Sequence, residues 1–346
     1  MAATADAHPD RAQPLFKNRL PTLDYLRGIA ALMVCACHFS DGLPRYAGAP
    51  LHDFGPLGVQ VFFVISGFII PYGLERARYT PRSLLRFLAK RLLRLHPPFV
   101  CAMVVTVAFS MAASRIKNEP FMVNPSEMFG WFFYRSIPSE NPVIWSLVVE
   151  LKYYFFIGLT YPVFFSKTRW VRWSGFTVAA LVSATLAGSL EVLRYLPYFL
   201  IGFAVCLDHL GLTSKREAAG LGLLAVAAAM PTAWSAEIIA AVVAALAIVY
   251  LPAFNFRAGA FFGAISYSLY LIHFPVGVKF LNLTLPKIHS PAALTTIFGM
   301  MLLAAALSTA AAWLLYLVAE KPSIAWSKAV KLSPRRPLAI AAPETA

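Results

Sequence analysis

Ten apolar runs, near residues 20–39, 56–73, 97–113, 143–165, 174–188, 195–210, 218–232, 236–253, 260–281 and 292–319, constrain this chain more than any other feature. A helix needs ~20 apolar residues to cross a bilayer, and in lipid the backbone has no partner except itself. The runs therefore predict an all-α fold, a polytopic transmembrane helical bundle of about ten spans, with the fifth and seventh runs the weakest. Composition agrees. With 59% hydrophobic residues, 13% charged and a mean hydropathy of +0.66, the chain carries more apolar side chain than one soluble core hides. Residues 1–18 and 333–346 are polar and turn-rich and are expected as disordered tails, leaving 19–332 as one integral membrane domain. The first run resembles a secretory signal, with Ala47-Gly48-Ala49 as a cleavage site. Asp24 and Arg27 interrupt that reading, and the segment is expected to stay.

A net charge of +14 raises the question of nucleic acid. The distribution answers it, because the basic residues fall in short stretches between apolar runs, as lysine and arginine do in cytoplasmic loops. No nucleic-acid partner is expected. Between the second and third runs lie Arg76, Arg78, Arg82, Arg86, Lys90, Arg91 and Arg94 against the single acid Glu75. The Glu75–Pro97 loop is thus expected in the cytoplasm, and an even number of spans puts both termini there. Cys35, Cys37, Cys101 and Cys206 lie within apolar runs and read as buried small hydrophobes. Cys35 and Cys37, two apart on a helix, point away from each other. The strings HExxH, GxxxxGK and GxSxG are missing, so zinc protease, P-loop and α/β-hydrolase chemistries lose their usual anchors, and no metal is expected.

Ionisable side chains in hydrocarbon cost ~2.5–3.5 kcal/mol each, which makes each one a functional candidate. Asp24 and Arg27 can pair on one helical face, and Arg27 and His38, eleven apart, share nearly the same face about 16 Å apart along the axis. The plainer alternative is an interfacial anchor arginine and a histidine bonded to a neighbouring helix. In the fourth run Ser146 and Glu150 share a face, and Glu150 is expected near the depth of His38. A carboxylate beside a histidine orients the ring and stabilises its charged form; alternatively Glu150 neutralises Lys152. Arg91 and Arg94 open the third run, where guanidinium geometry suits phosphate as well as topology. His273, before Pro275 in the ninth run, is a fourth and weaker signal.

Together these segments resemble the membrane-bound acyltransferase 3 family, which O-acylates sugars and other hydroxyl compounds in bacterial membranes. The resemblance rests on Asp24, Arg27-Gly28 and the ten residues between Arg27 and His38. It extends through Val61 to Phe68, Arg91 to Pro97, Trp145-Ser146-Leu147 with Glu150 and Tyr154, Tyr267 to Pro275, and Glu320-Lys321-Pro322. It covers most of the chain; Lys152 and Tyr153 depart from the usual motif. The resemblance implies a cytoplasmic acyl-CoA donor, often acetyl-CoA, and a hydroxyl acceptor on a glycan, glycolipid or related compound, at the bacterial cytoplasmic membrane. Arg27, Arg91 and Arg94 would dock the phosphates of coenzyme A. His38 would deprotonate the acceptor or briefly carry the acyl group, with Glu150 or Asp24 setting its tautomer and charge. No added extracytoplasmic domain is expected, so the membrane domain itself would complete the transfer. The competing class is a transporter, since buried polar residues also line solute paths. Against it stand the lack of an internal repeat and the one-sided arginine cluster.

Overall fold

The structure, a computed structural model, describes residues 21–43, 45–121, 123–252, 256–285 and 294–332. The two tails expected to be disordered lie outside the described residues. The chain forms α1 (Pro21–Phe39), α2 (Arg45–Phe54), α3 (Gly58–Arg76), α4 (Leu84–Lys117), α5 (Pro125–Phe132), α6 (Trp145–Phe164) and α7 (Arg169–Leu186). It continues with α8 (Glu191–His209), α9 (Lys215–Ala229), α10 (Ser235–Tyr250), α11 (Arg257–His273), α12 (Lys279–Thr284), α13 (Leu294–Leu315) and α14 (Lys321–Ala329). Among the described residues there is no strand.

Each of the ten apolar runs is occupied by a helix, but the expected ten spans are not all alike. Among the described residues, seven helical stretches are long and apolar enough to cross a membrane. The 15-residue α9 and 16-residue α10 are shorter than the ~20 residues of a span. The 18-residue α7 begins with Arg169 and Arg172, which lower its hydropathy. Arg172 is buried and forms an ion pair with Glu217 of α9 at 2.7 Å, tying these shorter helices together.

The stretch from Glu75 to Pro97 is not a loop throughout. The 34-residue α4 carries Arg86, Lys90, Arg91 and Arg94 in its first turns and continues through Pro97 and Pro98. Arginine, lysine and leucine are good helix formers, and two prolines whose missing N–H groups leave carbonyls to neighbours are tolerated in a packed span. Only residues 77–83 connect α3 to α4. Its basic start rests on the stretch that follows α14: Lys90 Nζ donates to the Val330 carbonyl at 3.1 Å, and Ser83 Oγ to that of Leu332 at 2.7 Å.

Glycines let several helices cross with their backbones in direct contact. A Cβ on Gly67 of α3 would lie 2.0 Å from the Phe199 carbonyl oxygen, and one on Gly202 of α8 1.9 Å from that of Val64. Such close approach is how helices associate where lipid gives apolar side chains no reason to leave it. The rings of Phe63, Tyr153 and Phe199 stack beside this crossing. On α1, a Cβ at Gly58 would meet the Ala30 carbonyl, and one at Gly55 would meet Cys37, so α3 runs antiparallel to α1. Cys35, Cys37 and Cys206 are buried as expected, whereas Cys101 lies exposed on the outer face of α4.

Candidate active site

A cavity of about 480 Å³ opens among α1, α3, α4, α6, α11 and α14. It is within the size range of small-molecule sites. Helical spacing delivers its charged walls. Asp24 and Arg27 are one turn apart on α1, Arg91 and Arg94 one turn apart on α4, and Ser146, Glu150 and Tyr154 follow at four-residue intervals on α6. Glu320 and Lys328 complete the charged lining. Glu320 ends a π-helical turn, Tyr316–Glu320, and such turns are frequent at functional sites because the wider turn re-aims a side chain.

The carboxylates of this wall accept hydrogen bonds from serines. Ser66 Oγ donates to Glu150 Oε1 at 2.8 Å, and Ser268 donates to Glu320 Oε2 through its hydroxyl at 2.6 Å and its N–H at 3.2 Å. Arg91 lies over the rings of Phe87 and Tyr154, 5.5 Å from each centroid. Its Nε is buried and has no partner among the described residues. A buried donor without a partner is costly.

His38 does not line this cavity. Its ring lies 5.4 Å from that of His273 and 5.4 Å from that of Phe274, near the end of α1. The ionisable groups around it are Asp41, His52 and His273. Tyr270 stands between the cavity and this pair. Its hydroxyl donates to the Val143 carbonyl at 3.0 Å and lies 2.6 Å from Ser146 Oγ, while its ring is 6.0 Å from His273. A file of side chains, Ser146, Tyr270, His273 and His38, thus leads from the charged chamber to the end of α1.

The structure brings Asp24, Arg27, Arg91, Arg94 and Glu150 together and leaves His38 apart. Asp24 is fourteen residues from His38 on one helix, about 21 Å along the axis, too far to orient its ring. Glu150 does not share the depth of His38 either. It is held by Ser66, eleven residues beyond Gly55, and Gly55 is the residue level with Cys37, so about 16 Å of α3 separates the two levels. The residue count itself separates them, since His38 is one residue from the end of its run at 39 and Glu150 seven from the start of its own at 143. Ser66 and Tyr270 were missed by the reading of single residues, and Glu320 entered only through the resemblance. The available signal was a carboxylate, Glu320, at the end of the last apolar run.

A family model described as an acyltransferase domain matches residues 20–317. Nodulation protein 10 of Rhizobium leguminosarum bv. viciae is 30% identical over 56% of this chain and 52% of its own length. Acyltransferase MdmB of Streptomyces mycarofaciens is 25% identical over 44% of this chain and 40% of its own. Peptidoglycan O-acetyltransferase OatA of Listeria monocytogenes is 27% identical over 45% of this chain and 26% of its own. The chain spans about half the length, or less, of these curated relatives. No solved structure matches the chain with significance. The helical architecture, the seven apolar stretches among the described residues and the family match over residues 20–317 together make the chain a multi-pass membrane protein that belongs to the acyltransferase 3 family.

Proposed function

We propose that this protein O-acylates a glycan, glycolipid or related hydroxyl-bearing acceptor at a bacterial cytoplasmic membrane, taking an acyl group, most simply acetyl, from acyl-CoA. The observation that carries the donor assignment is the convergence of Arg27, Arg91 and Arg94 on one cavity, with Arg91 Nε buried and unpartnered. Guanidinium groups bind phosphate oxygens through charge-assisted, often bidentate hydrogen bonds. An acetyl group and a glycan acceptor are supported by the name of one relative, a peptidoglycan O-acetyltransferase. The cytoplasmic side of the arginine end rests on the excess of basic residues there. Family membership also removes the main ground for the transporter reading.

In this reading the phosphates of coenzyme A dock on the three arginines, and its thiol-bearing arm runs along α1, where His38 lies about 16 Å from Arg27. One His38 nitrogen takes the proton of the acceptor hydroxyl as its oxygen attacks the thioester carbonyl. The carbon–sulfur bond breaks, the ester forms, and the thiolate leaves with the proton from the imidazolium. Glu150 and Asp24 serve the arginine chamber rather than the histidine: their charge offsets the mutual repulsion of the guanidiniums and keeps the chamber folded before the donor arrives.

The test is release of free thiol from acetyl-CoA by purified protein, with the acceptor identified by mass spectrometry of envelope sugars with and without the gene. His38→Asn keeps a hydrogen-bonding side chain that exchanges no proton near neutral pH. It is expected to lower turnover ~10²- to 10⁴-fold at unchanged expression. Near-normal turnover in that variant would make His38 structural and overturn the mechanism.

A further inference from the structure

His273 is a fully buried imidazole that the transfer described above does not use. Its position beside His38 is built into the helix register. α1 and α11 cross where Gly28 meets Gly263: a Cβ on Gly28 would lie 2.9 Å from the Gly263 nitrogen, and one on Gly263 2.2 Å from the Asp24 carbonyl oxygen. Ten residues lead from Gly28 to His38, and ten from Gly263 to His273, on helices that run the same way. The two rings therefore reach the same level.

The tautomer of His273 follows from its partners. Its Nδ1 lies 3.1 Å from the Leu269 carbonyl, an acceptor only, so Nδ1 carries the proton and donates. Nε2 is then a lone-pair acceptor, buried, with no partner among the described residues. An N–H···N hydrogen bond spans about 3 Å, and each ring nitrogen lies about 1.2 Å from its centroid, so a bonded pair has centroids about 5.4 Å apart. The observed separation is 5.4 Å with planes 32° apart. The separation of the rings is that of a bonded pair. The other ionisable groups facing His38, Asp41 and His52, have side chains 54% and 60% exposed, so water screens them.

We propose that His273 is a positioning residue: its Nε2 accepts the N–H of one His38 nitrogen, which leaves the other His38 nitrogen bare and aimed at the acceptor hydroxyl. This rests on the reading of His38 as the base. When His38 takes the hydroxyl proton it becomes an imidazolium, and the bond to neutral His273 becomes charge-assisted and stronger. The second proton stays on His38, and the first leaves with the thiolate.

The experiment uses full-length protein in lipid nanodiscs, with acetyl-CoA turnover and ring-nitrogen NMR of labelled histidine, the His38 signals being assigned by their loss in His38→Ala. In wild type a scalar coupling between a His38 nitrogen and His273 Nε2 is expected, a measurement that needs no variant. His273→Phe fills the space without an acceptor; it should lower kcat roughly 10- to 100-fold at unchanged KM for acetyl-CoA and let His38 populate both tautomers. His273→Gln, which returns an acceptor near the Nε2 position, should recover most of both. Absence of the coupling together with wild-type kcat in His273→Phe overturns the proposal, as does an equal loss in the Phe and Gln variants. If His38→Ala keeps its turnover, the base reading falls on its own. The His38 spectrum then decides the pairing: a single tautomer surviving in His273→Phe overturns it, and mixing supports it.

Discussion

Gly28 and Gly263 bring the backbones of α1 and α11 into direct contact, close enough that a Cβ on Gly28 would lie 2.9 Å from the Gly263 nitrogen. α1 carries Asp24 and Arg27 before that crossing and His38 after it, and α11 carries Tyr267, Tyr270 and His273 after it, so its geometry reaches the arginine chamber and the histidine pair together. A Cβ on Gly263 would lie 2.2 Å from the Asp24 carbonyl oxygen, and two backbones cannot both keep their places. Gly263→Ala should cost about 1–3 kcal/mol, the usual range of overpacking, and lower the melting temperature measurably. Gly222→Ala, where nothing lies within 4 Å, is the control and should leave it unchanged or slightly raised. Equal melting temperatures for the two variants would show that the crossing yields easily.

Arg91→Lys and Arg94→Lys keep the charge but remove the planar fork. If both bind donor phosphates, each should raise KM for acetyl-CoA roughly tenfold or more, with a smaller effect on kcat, as expected when a charge-assisted hydrogen bond is lost. Unchanged kinetics would leave the arginines with a topological role alone. Arg91 should be the more sensitive, because its Nε is buried between Phe87 and Tyr154, where a lysine ammonium cannot reproduce the contact.

The topology has its own measurement. Arg82 is exposed in the short link between α3 and α4, where basic residues dominate. With Cys101 replaced by serine, Arg82→Cys should resist a membrane-impermeant thiol reagent in intact cells and react after the membrane is opened. Labelling in intact cells would invert the orientation and move the donor to the other side.

On the other side of the fold, Glu140 lies outside the spans and pairs with Lys279 and Ser110. Burial opposes its charge, yet the hydrogen bonds from Lys279 and Ser110 outweigh burial and hold its carboxyl below the usual range. A lowered native pKa means that the stabilisation is fully present above about pH 4.3, the unfolded value, and is lost as pH falls through the native value. The melting-temperature gap between wild type and Glu140→Gln should therefore be constant from neutral pH down to about 5 and narrow below it. A gap independent of pH down to about 3 would show that the pair contributes no charge-dependent stability.

Much of this architecture was legible from residue order. Apolar runs near bilayer length become helices because the backbone has no other partner in lipid, and the weakness of the fifth and seventh runs corresponds to the short or polar-ended α7 and α9. The basic stretch was misread as a loop, since charge marks a side of the membrane without saying whether the chain is coiled or helical. Four-residue spacing placed Ser146 with Glu150 and three-residue spacing placed Arg91 with Arg94, because neighbours on one helix depend only on the helical repeat.

What sequence determined by itself, then, is whatever one helix decides: which residues share a face, how far apart they lie along an axis, and that His38 and Arg27 sit on one stripe. Tertiary structure decided which stripes meet. Glu150 joins Arg27 rather than His38, and His38 meets His273 from 235 positions further along the chain. Both outcomes depend on where glycines let backbones touch, Gly28 on Gly263 and Gly55 on Cys37. A glycine in a sequence announces only that its helix can approach another, and which other, at what register, is settled when all the helices pack at once.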